Sequence, residues 1–338
     1  MRIYSKKDLN EYHQSLTYDD ISLIPTEVSR IKSRTEASTN CKFLGIELGV
    51  PVVSSPMDTV TGIEMVEGLN QLGCLGILNR FDSSLDSILK GNGNSKKVKA
   101  VSVALTISID AVEKLFERGY IICIDTANAN NKEVLRKTEE IKKKFDVRLI
   151  IGNIAHGGSL KQLAEAGADA VRVGIGSGSV CSTSIQTGIG IGQVSSLLNV
   201  LFARVENKLK ISIIADGGIK SAGDIAKAIA LGADAAMLGR MLSGTKETPG
   251  EVIKYSGQLW KKYRGSASFG VKMRNEYIEG EETMVAYKGT VKNVIDSISD
   301  GLRSSMSYMN CFTLDELRKT ETFAVLSNSS YLERLPRV

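Results

Sequence analysis

The sequence predicts a (β/α)8 barrel, and three observations support this fold. Eight short runs are almost continuously apolar, as expected for parallel strands that helices cover on both faces. Stretches with helical spacing separate several of these runs, and three of them end at a glycine (Gly119, Gly167 and Gly232), a common helix stop. Polar residues and glycines collect directly after the runs, at the end of a barrel where active sites lie.

The elements follow one another in regular alternation up to residue 244. The predicted strands are Val50–Ser54, Cys74–Leu78, Val101–Leu105, Tyr120–Ile124, Val147–Ile151, Ala170–Val173, Ile211–Ala215 and Ala235–Leu238. The predicted helices between them include Ile109–Arg118, Lys132–Lys144, Leu160–Ala166 and Ser221–Leu231. A doubly wound open sheet is the alternative that the same alternation allows.

We expect residues 1–338 to form a single domain, although the length also allows two medium-sized domains. An N-terminal arm would precede the barrel. Residues 245–338 break the alternation, and we predict a C-terminal helical elaboration there with a short flap over residues 266–283. The polar segment between the second and third predicted strands is too short to hold another domain.

Composition and charge exclude several classes of protein. With 42% hydrophobic and 24% charged residues, the chain is unlike a disordered protein. The net charge is only +5, and the lysines near residues 96–99 and 142–144 form short separated runs, so we expect no nucleic-acid partner. No apolar run reaches the length of a membrane span, and we expect no membrane partner. Five cysteines without a CxxC spacing, behind a polar N-terminus, indicate reduced thiols in a cytoplasmic protein.

Two glycine loops predict a phosphate site. Asp216-Gly217-Gly218 follows the seventh predicted strand and Gly239 follows the eighth. Barrels often bind phosphate at these two loops through backbone N–H groups, and glycine permits the close approach. A simple turn is the alternative interpretation of either loop taken alone.

Cys181 is the predicted nucleophile. Six glycines lie between residues 174 and 192, and the N–H groups of such a loop can attract an anion and lower the pKa of a thiol. Cys74 and Cys123 lie in predicted strands and are interpreted as buried apolar residues. The chain has only two histidines, and a Cys–His pair would require His156 to reach Cys181 through the fold.

Taken together, these motifs resemble those of the IMP dehydrogenase and GMP reductase family. The residues that carry the resemblance are Leu16–Asp20, Ser54–Val60, Gly176–Thr183, Asp216–Gly218 with Gly223 and Asp224, Val285–Gly289 and Gly301–Ser304. The resemblance implies a homotetrameric barrel enzyme that acts on a purine nucleoside monophosphate, with Cys181 attacking C2 of the purine to form a covalent thioimidate. A dehydrogenase then transfers a hydride to NAD and hydrolyses the adduct to XMP. A reductase expels ammonia from GMP and takes a hydride from NADPH, which gives IMP.

Several motifs favour the reductase branch. The short segment after the second strand leaves no room for the paired CBS domains that most dehydrogenases carry. The residues Asp125–Asn128 and Thr187–Gly190 are similar to the reductase pattern, and no Arg-Tyr pair lies between Gly265 and Glu279. Three other motifs are more similar to the dehydrogenase pattern: Glu247–Val252, Tyr263–Gly265 and Val285–Gly289. In both branches a methionine follows the glycine at position 265, and here that residue is Ser266. We therefore expect an NADPH-dependent GMP reductase, with an NAD-dependent IMP dehydrogenase without CBS domains, or a related purine (deoxy)nucleotide reductase, as the alternative.

The resemblance also assigns roles to residues. Cys181, Thr183 and Glu279 would be catalytic, the last two relaying the proton that ammonia takes as it leaves. The substrate would contact Ser55, Met57, Asn153, Arg172, Ser179, Asp216, Gly217, Gly218, Gly239, Arg240, Tyr263 and Gly265. The cofactor would contact Asp125, Thr126, Ala127, Asn128, Gly174 and Gly176. Carbonyl groups of Gly176, Gly178 and Cys181 would hold a monovalent cation such as K⁺.

Two other function classes are compatible with a phosphate-binding barrel. A nucleotide sensor would not need Cys181, Thr183 and Glu279 together, so their joint presence argues against it. A lyase or isomerase would be expected to carry lysine or carboxylate bases at the strand ends, where this chain has mostly serine, asparagine and glycine.

Overall fold

The computed structural model describes residues 3–81, 99–265 and 280–335. Its centre is an eight-stranded parallel sheet, whose strands we number one to eight in chain order: Val52–Ser54, Ile77–Leu78, Lys99–Val103, Tyr120–Asp125, Leu149–Ile154, Ala170–Val173, Ser212–Asp216 and Ala235–Leu238. From strand two onward each strand pairs with the next, and strand eight pairs with strand one. A parallel bridge between Val53 and Leu75 joins strand one to the segment that leads into strand two. The predicted (β/α)8 barrel is therefore confirmed.

Each observed strand falls on a predicted apolar run, and strands six and eight have the predicted bounds. Other bounds differ by a few residues: strand five ends at Ile154 instead of Ile151, and strand two begins at Ile77 instead of Cys74. The run of apolar residues locates a strand, but hydrogen bonds to the neighbouring strands set where its ladder begins and ends. Residues 79–98 separate strands two and three, which leaves no room for an inserted domain.

The helices lie outside the barrel or at its ends. They are Lys6–Asn10, Ile63–Gln71, Ile109–Glu117, Lys132–Lys144, Gly157–Glu165, Thr183–Thr187, Gln193–Glu206, Ala222–Leu231, Val291–Tyr308, Leu314–Leu317 and Asn328–Glu333, with 3-10 turns at Tyr18–Asp20 and Arg34–Glu36. Lys132–Lys144 shows why such a segment is helical and where it packs. Val134, Thr138 and Ile141 are buried at spacings of four and three residues, and the lysines of the last turn complement the helix dipole.

The N-terminal arm is tied to the helix that follows the cysteine loop. The N–H groups of Val194 and Ser195 both donate to the carbonyl oxygen of Leu16, and the Leu16 N–H donates to Ser195 Oγ at 2.8 Å. These bonds satisfy N–H groups in the first turn of helix Gln193–Glu206, whose N-cap Gly192 has no side chain to do so. The arm therefore helps to fix the position of the loop that ends at this helix.

The C-terminal region is only partly helical, which corrects the prediction. Ile253–Tyr255, Gln258–Arg264 and Glu282–Ala286 form a three-stranded antiparallel sheet, and Thr322–Val325 pairs with both Ile3–Ser5 and Ile21–Leu23. A hairpin of Cys41–Phe43 and Ile46–Leu48 precedes strand one. These strands are short and only partly buried, so their residues lack the continuous apolar run that marks the barrel strands, and local spacing gave little sign of them. Within the described ranges, no helix combines the length and apolar content needed to cross a membrane.

Candidate active site

Cys181 lies in the loop after strand six, directly before the short helix Thr183–Thr187. Its thiol donates a hydrogen bond to Thr183 Oγ1 at 3.2 Å. Cys181 is half-buried, whereas the other four cysteines are buried. The structure thus brings the predicted nucleophile into contact with the predicted catalytic threonine and leaves the sulfur partly accessible.

The cysteine loop pairs with both borders of the predicted flap. Cys181 forms an antiparallel bridge with Gly280, and the Glu281 N–H donates to the Val180 carbonyl at 2.9 Å. The Gly265 N–H in turn donates to the Glu281 carbonyl at 3.0 Å. Gly265 and Gly280, the described residues on either side of positions 266–279, therefore both lie beside the cysteine loop. Glu279 itself, with Ser266 and most of the predicted flap, lies outside the described residues.

Five predicted substrate residues meet at one point of the barrel end. The Ser179 and Tyr263 hydroxyl oxygens lie 3.0 Å apart. A Cβ atom added at Gly239 would lie 3.2 Å from the Tyr263 hydroxyl, 3.3 Å from Met57 Sδ and 3.7 Å from Ser55 Cβ. The loops after strands one, six and eight therefore meet the sheet strand Gln258–Arg264 here, around a glycine that leaves space between them.

The Tyr263 hydroxyl is well suited to donate a hydrogen bond to a phosphate oxygen. The residue is 2% exposed, and this burial raises the pKa of the hydroxyl, so the group stays protonated at neutral pH. Next to Gly239, the Arg240 side chain is exposed, and the Arg240 carbonyl accepts a hydrogen bond from Lys288 Nζ at 2.8 Å. Positive charge therefore adjoins the predicted phosphate loop.

The glycines of the strand-seven loop allow it to pack directly on the cysteine loop. Gly217 and Gly218 have φ angles of +102° and +73°, which disfavour residues with a side chain. A Cβ atom at Gly217 would lie 2.3 Å from Ser177 Oγ, and the Gly218 N–H donates to the Ser177 carbonyl. Likewise a Cβ atom at Gly174 would lie 2.0 Å from the Asp216 carbonyl oxygen. The predicted phosphate loop and the cysteine loop are thus one packed unit.

Arg172 joins two site carboxylates beneath these loops. Its guanidinium donates to Asp125 Oδ1 at 2.5 Å and, through Nε and Nη2, to Asp216 Oδ2 at 3.0 and 2.9 Å. Asn153 Nδ2 donates to the same Asp216 oxygen at 2.8 Å. Burial alone would lower the pKa of Arg172, but Asp216 and Asp125 raise it well above its ordinary value, so the guanidinium stays charged. The described contacts of the Arg172 side chain are with Asp125, Asp216 and Cys123. Its contact with the base stays a prediction.

The predicted cofactor residues after strand four lie next to this cluster. Thr126 donates through both N–H and Oγ1 to the Gly152 carbonyl, and the Asn153 N–H donates to the Thr126 carbonyl. Asn128 is exposed, and its side chain accepts a hydrogen bond from the Asn130 N–H. Arg80 Nε lies 3.7 Å from Asp125 Oδ2. Asp125 thus connects the predicted cofactor side of the site to the predicted ribose side.

His156 does not form the Cys–His pair that the sequence left open. It caps helix Gly157–Glu165, with Nδ1 accepting the Gly158 N–H at 3.1 Å, whereas the Cys181 thiol bonds Thr183. Cys123 is a buried residue, as expected: its sulfur lies 3.8 Å from Arg172 Nη1, and burial raises the pKa of the thiol to about 12.

The described residues include no cluster of three or more His, Cys, Asp or Glu side chains suited to a metal ion. The predicted monovalent cation would instead use carbonyl oxygens, which suit a large alkali ion. One of these, the Gly178 carbonyl, already accepts the Cys181 N–H at 3.1 Å, which leaves it one further lone pair. The cation site stays a prediction.

Sequence reasoning missed Gln193, which supports the cysteine loop. The residue is buried at 1% exposure; its Nε2 donates to the Val173 carbonyl at 2.6 Å, and its Oε1 accepts from Ser177 Oγ at 3.0 Å. The signal that could have found it is an amide residue at the first position of the helix that ends the glycine-rich stretch. A cavity of about 430 Å³ lies beside it, with Tyr18, Ser177, Gly218 and Lys220 among its walls.

Comparisons with known proteins identify the family of the chain. The family described as "IMP dehydrogenase / GMP reductase domain" matches residues 15–337. The inosine-5'-monophosphate dehydrogenase of Borreliella burgdorferi is 31% identical over 96% of this chain and 96% of its own length. The GMP reductase of Lactobacillus delbrueckii subsp. bulgaricus is 32% identical over 95% of this chain and 98% of its own length. The inosine-5'-monophosphate dehydrogenase of Escherichia coli is 39% identical over 72% of this chain and 50% of its own length. On this evidence, and with the predicted barrel and cysteine loop in place, the chain belongs to the IMP dehydrogenase / GMP reductase family.

Proposed function

We propose that this chain is a GMP reductase, which converts GMP and NADPH to IMP, ammonia and NADP⁺ through a covalent bond to Cys181. Enzymes of its family are oxidoreductases that act on purine nucleotides with nicotinamide cofactors. The observation that carries the proposal is the contact of the half-buried Cys181 thiol with Thr183, in a loop packed on the candidate phosphate loop. The choice of the reductase branch rests on the sequence around Asp125–Asn128 and on the absence of an adjacent Arg-Tyr pair between Gly265 and Glu279.

The nucleotide would be held by two groups of contacts. The backbone N–H group of Gly239, with the hydroxyls of Ser179 and Tyr263, would bind the phosphate, because each of them can donate a hydrogen bond to an anionic oxygen. Gly218, also predicted to contact the substrate, already donates its N–H to the Ser177 carbonyl. Asp216 would accept the ribose hydroxyls, since a carboxylate attracts hydroxyl donors and repels phosphate. Arg172 and Asn153 fix the orientation of that carboxylate.

Bond making then centres on Cys181. Its thiolate attacks C2 of the guanine, and the thiol proton is released to a base. The C2–N2 bond breaks, and Thr183 and Glu279 relay the proton with which the amine leaves as ammonia. Asp125, Thr126 and Asn128 would hold the nicotinamide cofactor, which would supply a hydride to C2. The C2–S bond would then break, its electron pair would return to the Cys181 sulfur, and IMP would depart.

IMP dehydrogenase is the second candidate. Tyr263-Arg264-Gly265 reads more like the dehydrogenase motif, and Tyr263 and Gly265 both lie beside the cysteine loop. That reaction needs a water molecule to hydrolyse the adduct, and the chain lacks the adjacent Arg-Tyr pair that the sequence resemblance assigns to this step.

The decisive experiment follows the absorbance of the reduced nicotinamide in two mixtures. With GMP and NADPH we expect the absorbance to fall as IMP and ammonia appear; with IMP and NAD we expect no XMP. The opposite pattern would identify a dehydrogenase, and no reaction in either mixture would favour a nucleotide sensor. Repeating the first assay with dGMP and with NADH establishes the sugar and cofactor preferences. Light scattering of the purified protein tests the homotetramer that the resemblance implies.

A further inference from the structure

We infer that the ion pair of Arg264 and Asp58 positions the nucleotide-binding wall of the site. Neither residue is among those predicted to touch the substrate or the cofactor. This inference rests on the proposed nucleotide site and adds positioning residues to it. Its starting point is the place of Arg264 in the chain, between Tyr263 and Gly265, two residues predicted to contact the nucleotide.

The pair is tightly packed and largely out of water. Arg264 Nε lies 2.7 Å from Asp58 Oδ2, and Nη2 contacts the same oxygen. The Asp58 side chain is 3% exposed and the Arg264 side chain 29%. Asp58 Oδ1 is also buried and has no hydrogen-bond partner among the described residues, so Arg264 is the described group that compensates this carboxylate.

The backbone strengthens the same junction. Thr59, next to Asp58, accepts a hydrogen bond from the Arg264 N–H at 3.1 Å through Oγ1 and reaches the Arg264 carbonyl at 3.4 Å. Two adjacent residues of the strand-one loop thus hold both the side chain and the main chain of one residue. These contacts therefore hold the loop after strand one against the end of strand Gln258–Arg264.

The loop after strand one and the end of strand Gln258–Arg264 each carry a residue of the candidate phosphate pocket. Met57 directly precedes Asp58, and its Sδ would lie 3.3 Å from a Cβ atom at Gly239. Tyr263 directly precedes Arg264, and its hydroxyl lies 3.0 Å from Ser179 Oγ. A shift of the Arg264–Asp58 junction would thus move two walls of the pocket relative to Gly239.

Arg264 also reaches the neighbouring sheet strand, Glu282–Ala286. Its Nη1 lies 3.7 Å from Glu282 Oε1, and Arg264 and Glu282 are register partners in the antiparallel sheet. Lysine could keep the charge at this position but could not reproduce a planar fork that serves two carboxylates at once. The geometry therefore requires arginine for its shape as well as its charge.

The test uses Arg264→Lys and Asp58→Asn in the full-length protein. If the pair positions the pocket, KM for GMP rises at least about fivefold in each variant while kcat changes much less, because the pair does not touch the reacting atoms. Nucleotide protection of Cys181 against iodoacetamide measures binding without turnover. We expect the half-protecting GMP concentration to rise by the same factor as KM, with the alkylation rate of the nucleotide-free protein unchanged. The matched control is Lys292→Met with Asp296→Asn, an exposed pair on helix Val291–Tyr308.

The outcomes distinguish a failure of the positioning role from a failure of the proposed nucleotide site. A folded variant whose KM and half-protecting concentration equal those of the wild type overturns the positioning role, as does a fall in kcat alone. If neither GMP nor IMP protects wild-type Cys181, the proposed nucleotide site itself fails and the inference fails with it. Should Arg264→Lys not fold, the near-isosteric Asp58→Asn still decides the question, and circular dichroism identifies which variants are folded.

Discussion

The thiol of Cys181 lies 3.2 Å from the hydroxyl of Thr183 and donates a hydrogen bond to it. The two residues are close in sequence, yet they belong to different elements: Cys181 ends the strand-six loop, and Thr183 begins a short helix. The turn between them places both side chains together. In the proposed reaction this contact puts a group able to move a proton beside the sulfur that bonds to C2.

Replacing Cys181 by alanine is expected to abolish turnover and preserve nucleotide binding, because the phosphate and ribose contacts do not involve the sulfur. Calorimetry with GMP measures binding, and nicotinamide absorbance measures turnover. Cys311→Ala is the control, since Cys311 is buried and bonds the Met309 carbonyl. Turnover near the wild-type level in Cys181→Ala would exclude the covalent mechanism.

Replacing Glu279 by glutamine is expected to slow the loss of ammonia most, because an amide cannot take up and return the proton in the relay. Rapid-quench measurement of ammonia release, compared with hydride transfer from NADPH, separates the two half-reactions. Glu281→Gln, two residues along the chain, is the control. An equal slowing of both half-reactions would argue against a relay specific to ammonia.

Replacing Tyr263 by phenylalanine is expected to raise KM for GMP by about ten- to hundredfold, because one hydrogen bond to a charged phosphate contributes about 1.5–3 kcal/mol. The ring remains, so the substitution removes only the hydroxyl. Tyr308→Phe, at an exposed tyrosine, controls for the loss of a hydroxyl. An unchanged KM in Tyr263→Phe would remove this residue from the phosphate site.

Replacing Arg172 by methionine is expected to lower the free energy of unfolding by about 3–5 kcal/mol, because Asp216 would lose its cationic partner and Asp125 would keep only the more distant Arg80. Urea denaturation followed by circular dichroism measures the change. Arg136→Met removes solvent-exposed pairs with Glu133 and Glu140, and its expected effect is much smaller, because exposed ion pairs add little to stability. Equal effects of the two substitutions would show that the buried cluster adds little to stability.

Three buried thiols predict a loss of stability in alkali. Burial raises the pKa of Cys41 to about 11 and those of Cys74 and Cys123 to about 12, whereas unfolding restores values near 9.0. Above pH 9 the unfolded chain therefore holds fewer protons than the folded one, and stability falls as pH rises toward 11–12, with a limit of about 1.4 kcal/mol per pH unit for each thiol. Below pH 9 these thiols are protonated in both states and cause no such loss.

Urea midpoints at pH 8 and pH 10.5 measure this effect, and Cys74→Ala should show a smaller decrease between the two. The same burial predicts that a thiol reagent labels Cys181 rapidly in the folded protein and the buried thiols only after denaturation. A second rapidly labelled cysteine in the folded protein, or a urea midpoint that does not fall in alkali, would contradict the assigned burial.

The barrel could be predicted because each of its strands has a local signal. A strand such as Ala235–Leu238 is buried on both faces, so it appears as an unbroken apolar run whatever its partners are. The sheet strand Gln258–Arg264 has no such signal: exposed residues outnumber buried ones along it, and it is a strand because Ile253–Tyr255 and Glu282–Ala286 pair with it. Local spacing therefore located the barrel and missed the strands added to it.

The residues of the candidate site likewise fall into those that the sequence indicated and those that only the tertiary structure revealed. Cys181, the Asp216–Gly218 loop and Gly239 could be proposed from the sequence, because a reactive thiol and loops that approach a phosphate closely require particular residue types at strand ends. The bridge of Arg172 between Asp125 and Asp216, the support from Gln193 and the junction of Arg264 with Asp58 were decided only by the tertiary structure. A side chain that acts through a partner far along the chain leaves no periodic trace, since its role depends on a distance that the fold alone creates.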